Sequence, residues 1–260
     1  MYDFHLHTTV SFDGIDNAKD MALAAKERGL REICFTDHAD FLYEKGQTQL
    51  YDLCEYAKAY DNLRIEGLTI RRGTELGLAA WSVEESEKFL AARPYDFVIG
   101  SLHYTEFGDP YYPEFWEGRS GKAAFLCYLE EVLRCVKIHS NFDVLGHLTY
   151  VCKSAHNPSH EPVHYDDFRE ITDEILCVLI AKGKGLEVNT SGVDKAGALL
   201  PSEKFLRRFR ELGGEIVTVG SDAHDISRVG QYIDTTLDLL RDIFGYVCTF
   251  EERKPIFHKL

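Results

Sequence analysis

Tyr2-Asp-Phe-His-Leu-His7 is a short strand-forming run that ends in two histidines one residue apart. Side chains on a strand alternate between faces, so this H-x-H pair sets two imidazoles on one side and turns Phe4 and Leu6 to the other. The same pattern, an apolar run closing on polar residues, recurs at Glu32 to His38, Thr69 to Leu78, Phe97 to His103, Phe142 to His147, Gly185 to Ser191 and Glu215 to His224. Segments of helical period separate the runs: Asp16 to Arg28 before Gly29, Val83 to Ala92 before Pro94, Lys122 to His139, Asp166 to Lys182, and Ser202 to Leu212 before another glycine. Seven βα units in 260 residues predict an α/β fold, a closed or nearly closed parallel barrel whose strand ends share one face. A doubly wound open sheet is the alternative, but its G-x-G-x-x-G turn is absent after the first strand. No repeat, low-complexity tract or linker divides residues 1–260, which read as one domain.

Composition narrows the function classes. With 29 Lys and Arg against 43 Asp and Glu the formal charge is −14, and no basic block is present. Phosphate backbones and anionic membranes are bound by clustered positive charge, so neither is an expected partner. No apolar stretch reaches the roughly 18 to 20 residues of a membrane span, and the first residues lack a basic-then-apolar leader pattern. The expected location is the cytoplasm. Seven cysteines (34, 54, 127, 135, 152, 177 and 248) include no C-x-x-C pair and read as reduced thiols. Oligomeric state is not legible.

The ends of the seven runs carry, in order, His5 and His7, His38, Glu75, His103, His147, Asn189, and Asp222 with His224. Any one of these alone reads as a hydrogen-bonded structural residue. A histidine or carboxylate at six of seven strand ends reads instead as a set of first-row divalent metal ligands. The remaining histidines, 139, 156, 160, 164 and 258, lie off the strand ends. A catalytic zinc takes about three protein ligands and keeps one position open, so this set implies two or three divalent transition-metal ions, Zn, Mn or Fe. Closely spaced ions suit hydrolysis of a phosphoester, and Glu75 lies in the middle of the set, where a bridge between two ions would stand.

The motifs His5-Leu-His-Thr-Thr-Val-Ser-Phe-Asp13, Thr36-Asp-His38, Gly73-Thr-Glu75, Gly100-Ser-Leu-His103, Gly146-His147 and Gly220-Ser-Asp222-Ala-His224 resemble those of the polymerase and histidinol phosphatase (PHP) superfamily. Gly185-Leu-Glu-Val-Asn189-Thr-Ser-Gly192 is similar to a stretch of its histidinol-phosphate phosphatase branch. The resemblance runs from residue 3 to about residue 230. It implies a distorted, TIM-barrel-like (β/α)7 barrel with a trinuclear metal site at the C-terminal ends of the strands. One ion would take His5, His7, Glu75 and Asp222, a second Glu75, His103 and His147, and a third Asp13, His38 and His224.

The implied activity is that of a phosphomonoester hydrolase, L-histidinol-phosphate phosphatase of histidine biosynthesis, in which a hydroxide bridging the ions attacks phosphorus. Glu75, Asp222 and His224 are the catalytic candidates, the latter two as possible proton donors beside a water. A small phosphorylated substrate needs a cation at the same face, and Arg228, Lys153 and Lys195 are the candidates. Tyr104, Glu106, Tyr111, Tyr112, Glu114, Phe115 and Trp116 offer aromatic or anionic partners for the leaving group. Other readings are a phosphoesterase of the same family acting on another small phosphate or a nucleotide, and a metal-binding scaffold without activity. Loss of ligands expected of a scaffold is not seen.

Overall fold

The computed structural model describes residues 1–42, 48–158 and 161–260, and His160 lies outside these. In chain order the elements run β1 (Tyr2–Leu6), α1 (Ala18–Glu27), β2 (Glu32–Phe35), β3 (His38–Phe41), β4 (Thr48–Leu50), α2 (Leu53–Tyr60), β5 (Thr69–Gly77), α3 (Val83–Ala91) and β6 (Phe97–Ser101). They continue with α4 (Gly121–Ile138), β7 (Val144–Leu145), α5 (Arg169–Ala181), β8 (Gly185–Asn189), α6 (Gly192–Ala196), α7 (Glu203–Glu211), β9 (Val217–Gly220), α8 (Ile233–Ile243), β10 (Tyr246–Glu251) and β11 (Lys254–Lys259).

Strands β1, β2, β5, β6, β7, β8 and β9 pair in that order, all in parallel. The first and last meet through His7 N–H to Ala223 O (2.9 Å) and Asp222 N–H to His5 O (2.9 Å), which closes the ring. The seven expected runs are therefore the seven barrel strands, and the open-sheet alternative is excluded by that seam. Helix starts follow capping chemistry: Asn17, Asp52 and Ser120 accept N–H groups of α1, α2 and α4 through their side chains.

Several features depart from the sequence expectation. Strand β1 advances three residues while β2 advances two (Asp3↔Ile33, Leu6↔Phe35). This bulge breaks the strict alternation, so Leu6 packs in the main core while Phe4 joins a separate cluster with Cys34, Phe97, Ile99, Val144 and Phe250. The second run forms β2, and its last residue, His38, opens the further strand β3, which pairs with β5 on one side and β4 on the other. Helices α2 and α8 and the hairpin β10–β11 were not foreseen. Phe250 of that hairpin packs against Phe97 with ring centres 4.8 Å apart, and Phe97 meets Phe4 edge-on at 5.5 Å. Among the described residues no helix is long and apolar enough to cross a membrane. All seven cysteines are free.

Candidate metal centre

The C-terminal strand ends converge on Glu75, which is fully buried. One of its oxygens, Oε2, lies 3.1 Å from His5 Nε2 and 3.5 Å from His7 Nε2, and Asp222 Oδ1 lies 3.7 and 3.4 Å from the same two nitrogens. Its other oxygen, Oε1, lies 2.8 Å from His147 Nε2 and 3.3 Å from His103 Nε2, and accepts the Ser101 hydroxyl at 2.6 Å. Beside this pair, Asp13 Oδ2 stands 3.3 Å from His38 Nε2 and 2.9 Å from His224 Nε2. Every metal-ligand candidate read from the sequence (His5, His7, Asp13, His38, Glu75, His103, His147, Asp222 and His224) is thus in one cluster. The donor atoms fall into overlapping groups with ion-sized spacing, including His5, His7 and Glu75; Glu75, His103 and His147; and His7, Asp13, His38 and His224.

Local structure explains how each side chain gets there. Asp222 adopts a left-handed backbone (φ 55°), which costs a non-glycine residue roughly 1–2 kcal/mol. Buried Asp3 holds it there: Oδ1 accepts Ser221 N–H at 2.9 Å, and Oδ2 accepts the Ser221 hydroxyl at 2.5 Å and Gly230 N–H at 2.9 Å. Two further carboxylates orient the imidazoles. Glu187 Oε1 lies 2.5 Å from His5 Nδ1, and Asp40 Oδ1 lies 2.9 Å from His103 Nδ1. Glycines make room for both: a Cβ on Gly220 would sit 2.7 Å from Glu187 Oε1 and 2.3 Å from the His5 Cβ, and one on Gly77 would sit 2.1 Å from Asp40 Oδ1.

Neither Glu187 nor Asp40 was singled out from sequence, although each carried a signal. Glu187 stands two residues before Asn189 on one strand, and Asp40 two residues past His38, so both share a face with a recognised position. Asn189 itself joins none of the donor groups. Its Oδ1 accepts Ser191 N–H and hydroxyl at 3.0 and 2.6 Å, and its amide donates to Glu187 at 3.3 Å.

The electrostatics are those of charge packed without water. Burial alone would raise the Glu75 carboxyl, but His5, His103 and His38 hold it well below the usual carboxylate range. Burial likewise opposes ionisation of Asp222, and Lys153 and His5 override it. His38 is pushed up to about 10, because Glu75, Asp13 and Asp40 outweigh burial, whereas His7 is lowered to about 3 by burial and by His224 and His38.

The donor set passes a direct test of fit to metal. Nine buried side-chain nitrogen and oxygen atoms of the described residues make no hydrogen bond, and six belong to this cluster: His5 Nε2, His7 Nδ1 and Nε2, His38 Nδ1, Glu75 Oε2 and His147 Nδ1. Buried polar atoms are ordinarily paired, so a concentration of orphans within one cluster is what cations bound there would help to satisfy.

A cavity of about 350 Å³ opens over the cluster. Lys153 lines it with Nζ 2.7 Å from Asp222 Oδ2, and Lys195 lines it with Nζ 5.6 Å from the ring centre of Tyr111. Arg228, expected to swing over the ligands, does not line the cavity. It donates to Asp194 at 3.1 Å, a carboxylate on α6 that also accepts the Tyr232 hydroxyl at 2.6 Å. Of the aromatic loop, Tyr104, Tyr111 and Tyr112 line the cavity. Phe115 and Trp116 are buried in the core, Glu106 pairs with Arg134, and Glu114 is exposed.

Comparison with known proteins gives this geometry a context. The PHP domain pattern matches residues 3–191. The histidinol-phosphatase of Lactococcus lactis subsp. lactis (strain IL1403) is 34% identical over 260 residues, 97% of this chain and 95% of that protein. The probable histidinol-phosphatase of Thermotoga maritima is 28% identical over the full length of both chains. A crystal structure of the L. lactis histidinol phosphate phosphatase, complexed with Zn, L-histidinol and phosphate, superposes with a TM-score of 0.88 at 29% identity and covers 98% of each chain. With its family pattern spanning most of the barrel and its relatives matching end to end, the chain belongs to the PHP domain family.

Proposed function

We propose that this chain is a metal-dependent phosphomonoester hydrolase whose substrate is L-histidinol phosphate. The observation that carries this reading is the division of Glu75, with one oxygen toward His5 and His7 and the other toward His103 and His147. His5, His7, Glu75 and Asp222 would hold one ion, Glu75, His103 and His147 a second, and Asp13, His38 and His224 a third. Zinc is the first candidate, since it accompanies the similar L. lactis enzyme, and Mn and Fe suit the same nitrogen and oxygen donors. Bound there, such ions lower the pKa of water and neutralise charge on phosphoryl oxygens.

The chain's own groups supply the rest. Lys153 and Lys195 present two ammonium groups to the cavity and bind the phosphate oxygens. Asp222 is kept ionised by Lys153 and His5, so its carboxylate has no proton to give the leaving group. His224, half-buried at the rim, turns Nδ1 to the Asp222 carbonyl at 3.0 Å, which leaves Nε2 as the nitrogen that would serve the third ion beside Asp13. The net charge of −14 supports a small phosphorylated substrate over nucleic acid, and seven free thiols suit the reducing cytoplasm.

Phosphate release by the metal-loaded protein tests the reading. L-histidinol phosphate should be turned over with a kcat/KM well above that of p-nitrophenyl phosphate and of nucleoside monophosphates. Preference for a nucleotide, or no hydrolysis of any of them, overturns it.

A further inference from the structure

Four carboxylates line the cavity, and one of them has no use in the metal cluster. Asp13 faces His38 and His224, Asp40 faces His103 and His38, and Asp222 faces Lys153 and His7. Asp109 differs: among the described residues no Lys, Arg or His nitrogen lies within 4.0 Å of its carboxylate. Its Oδ1 accepts Tyr111 N–H at 2.7 Å and the Tyr150 hydroxyl at 3.4 Å. Burial pushes its carboxyl up, as expected of a half-buried anion that lacks a counter-charge.

Its position relative to the cluster is fixed by Tyr150. That ring stands 5.1 Å from the imidazole of His147 and 5.4 Å from that of His103, while its hydroxyl reaches Asp109. One tyrosine length therefore separates an unpaired carboxylate from the ligands of the metal cluster. Tyr104, Tyr111 and Tyr112 line the same cavity and supply neutral aromatic faces suited to a cation. Phosphate has its cations in Lys153 and Lys195, so what Asp109 lacks must arrive with the rest of the ester.

We propose that Asp109 is the specificity-determining residue of this site, an anionic seat for an ammonium on the carbon next to the esterified one. This rests on the phosphomonoesterase reading above, and L-histidinol phosphate has that arrangement. The carboxylate gains a charge-assisted hydrogen bond when substrate enters, and an ester without a cation leaves it unpaired.

Asp109→Asn tests the assignment in the full, metal-loaded chain, because asparagine keeps an oxygen for Tyr111 N–H and removes only the charge. KM for L-histidinol phosphate should rise roughly ten- to hundredfold, the scale of a hydrogen bond to a charged group, with kcat little changed. KM for p-nitrophenyl phosphate, which carries no cation, should stay at the parental value and doubles as the check on folding. Inhibition by L-histidinol should weaken by the same factor as KM rises. Equal losses on both esters, or no change on either, overturn the assignment while the hydrolase reading stands. A parent chain that hydrolyses p-nitrophenyl phosphate but not L-histidinol phosphate overturns the substrate reading and this assignment with it.

Discussion

Glu187 ties the imidazole of His5 to the strand beside it: Oε1 lies 2.5 Å from His5 Nδ1, and Oε2 accepts the N–H of His147 at 2.8 Å. One buried carboxylate thus fixes the ring of a residue on β1 and the backbone of the residue two positions past the end of β7. Its partner on His5 Nδ1 leaves Nε2 turned to Glu75, so Glu187 sets which nitrogen is offered to a metal.

Glu187→Gln keeps the size and removes the charge that favours this orientation. Groups that orient a ligating histidine typically contribute about 10- to 100-fold to metal affinity. Competition against a chromophoric chelator should report a loss in that range with unchanged far-UV circular dichroism. Parental affinity would mean that Glu187 is only a packing residue.

Gly220→Ala places a methyl group 2.3 Å from the His5 Cβ and 2.7 Å from Glu187 Oε1, against two groups that cannot retreat. Overpacking of this kind costs about 1–3 kcal/mol. At about 2–4 °C per kcal/mol for a chain near this size, thermal unfolding should fall by several degrees. An unchanged midpoint would show that β1 and β9 are looser than their seam implies.

Lys153→Ala and Arg228→Ala should part company. Lys153 is nearly buried in the cavity against Asp222, so its loss should raise KM for a phosphomonoester roughly tenfold or more at unchanged metal content. Arg228 is on Asp194 and outside the cavity lining, so its loss should leave KM within a factor of about two, the scale of an exposed ion pair. Steady-state kinetics on both variants decide it, and a large effect at Arg228 would mean the loop after β9 moves when substrate binds.

How far the sequence reached depends on range. Strand ends rich in histidine marked the barrel and the side chains that gather around Glu75, because both follow from local period and from chemistry that few folds need. The pairing of Arg228 is not legible in sequence, because its distance from His224 says nothing of Asp194, a residue 34 positions away that accepts its hydrogen bond. Glu187 and Asp109 were passed over for a related reason. A carboxylate's role depends on whether a cation reaches it, and only the folded chain reveals that Glu187 meets His5 while Asp109 meets none among the described residues. Phe4 was placed wrongly by strict alternation, since a bulge between Asp3 and Leu6 leaves no mark in six residues of apolar and polar pattern.

Glu75 stands between two groups of metal donors, and elemental analysis of Glu75→Gln beside the parent shows whether it joins them. After reconstitution and removal of free ions, the parent should hold about two to three transition-metal ions per chain, given about three protein ligands for each. The variant, folded by circular dichroism, should lose at least one of them, because a neutral amide serves both neighbouring groups poorly. Fewer than one ion in the parent, or the same content in the variant as in the parent, would show that Glu75 does not bridge two metal sites.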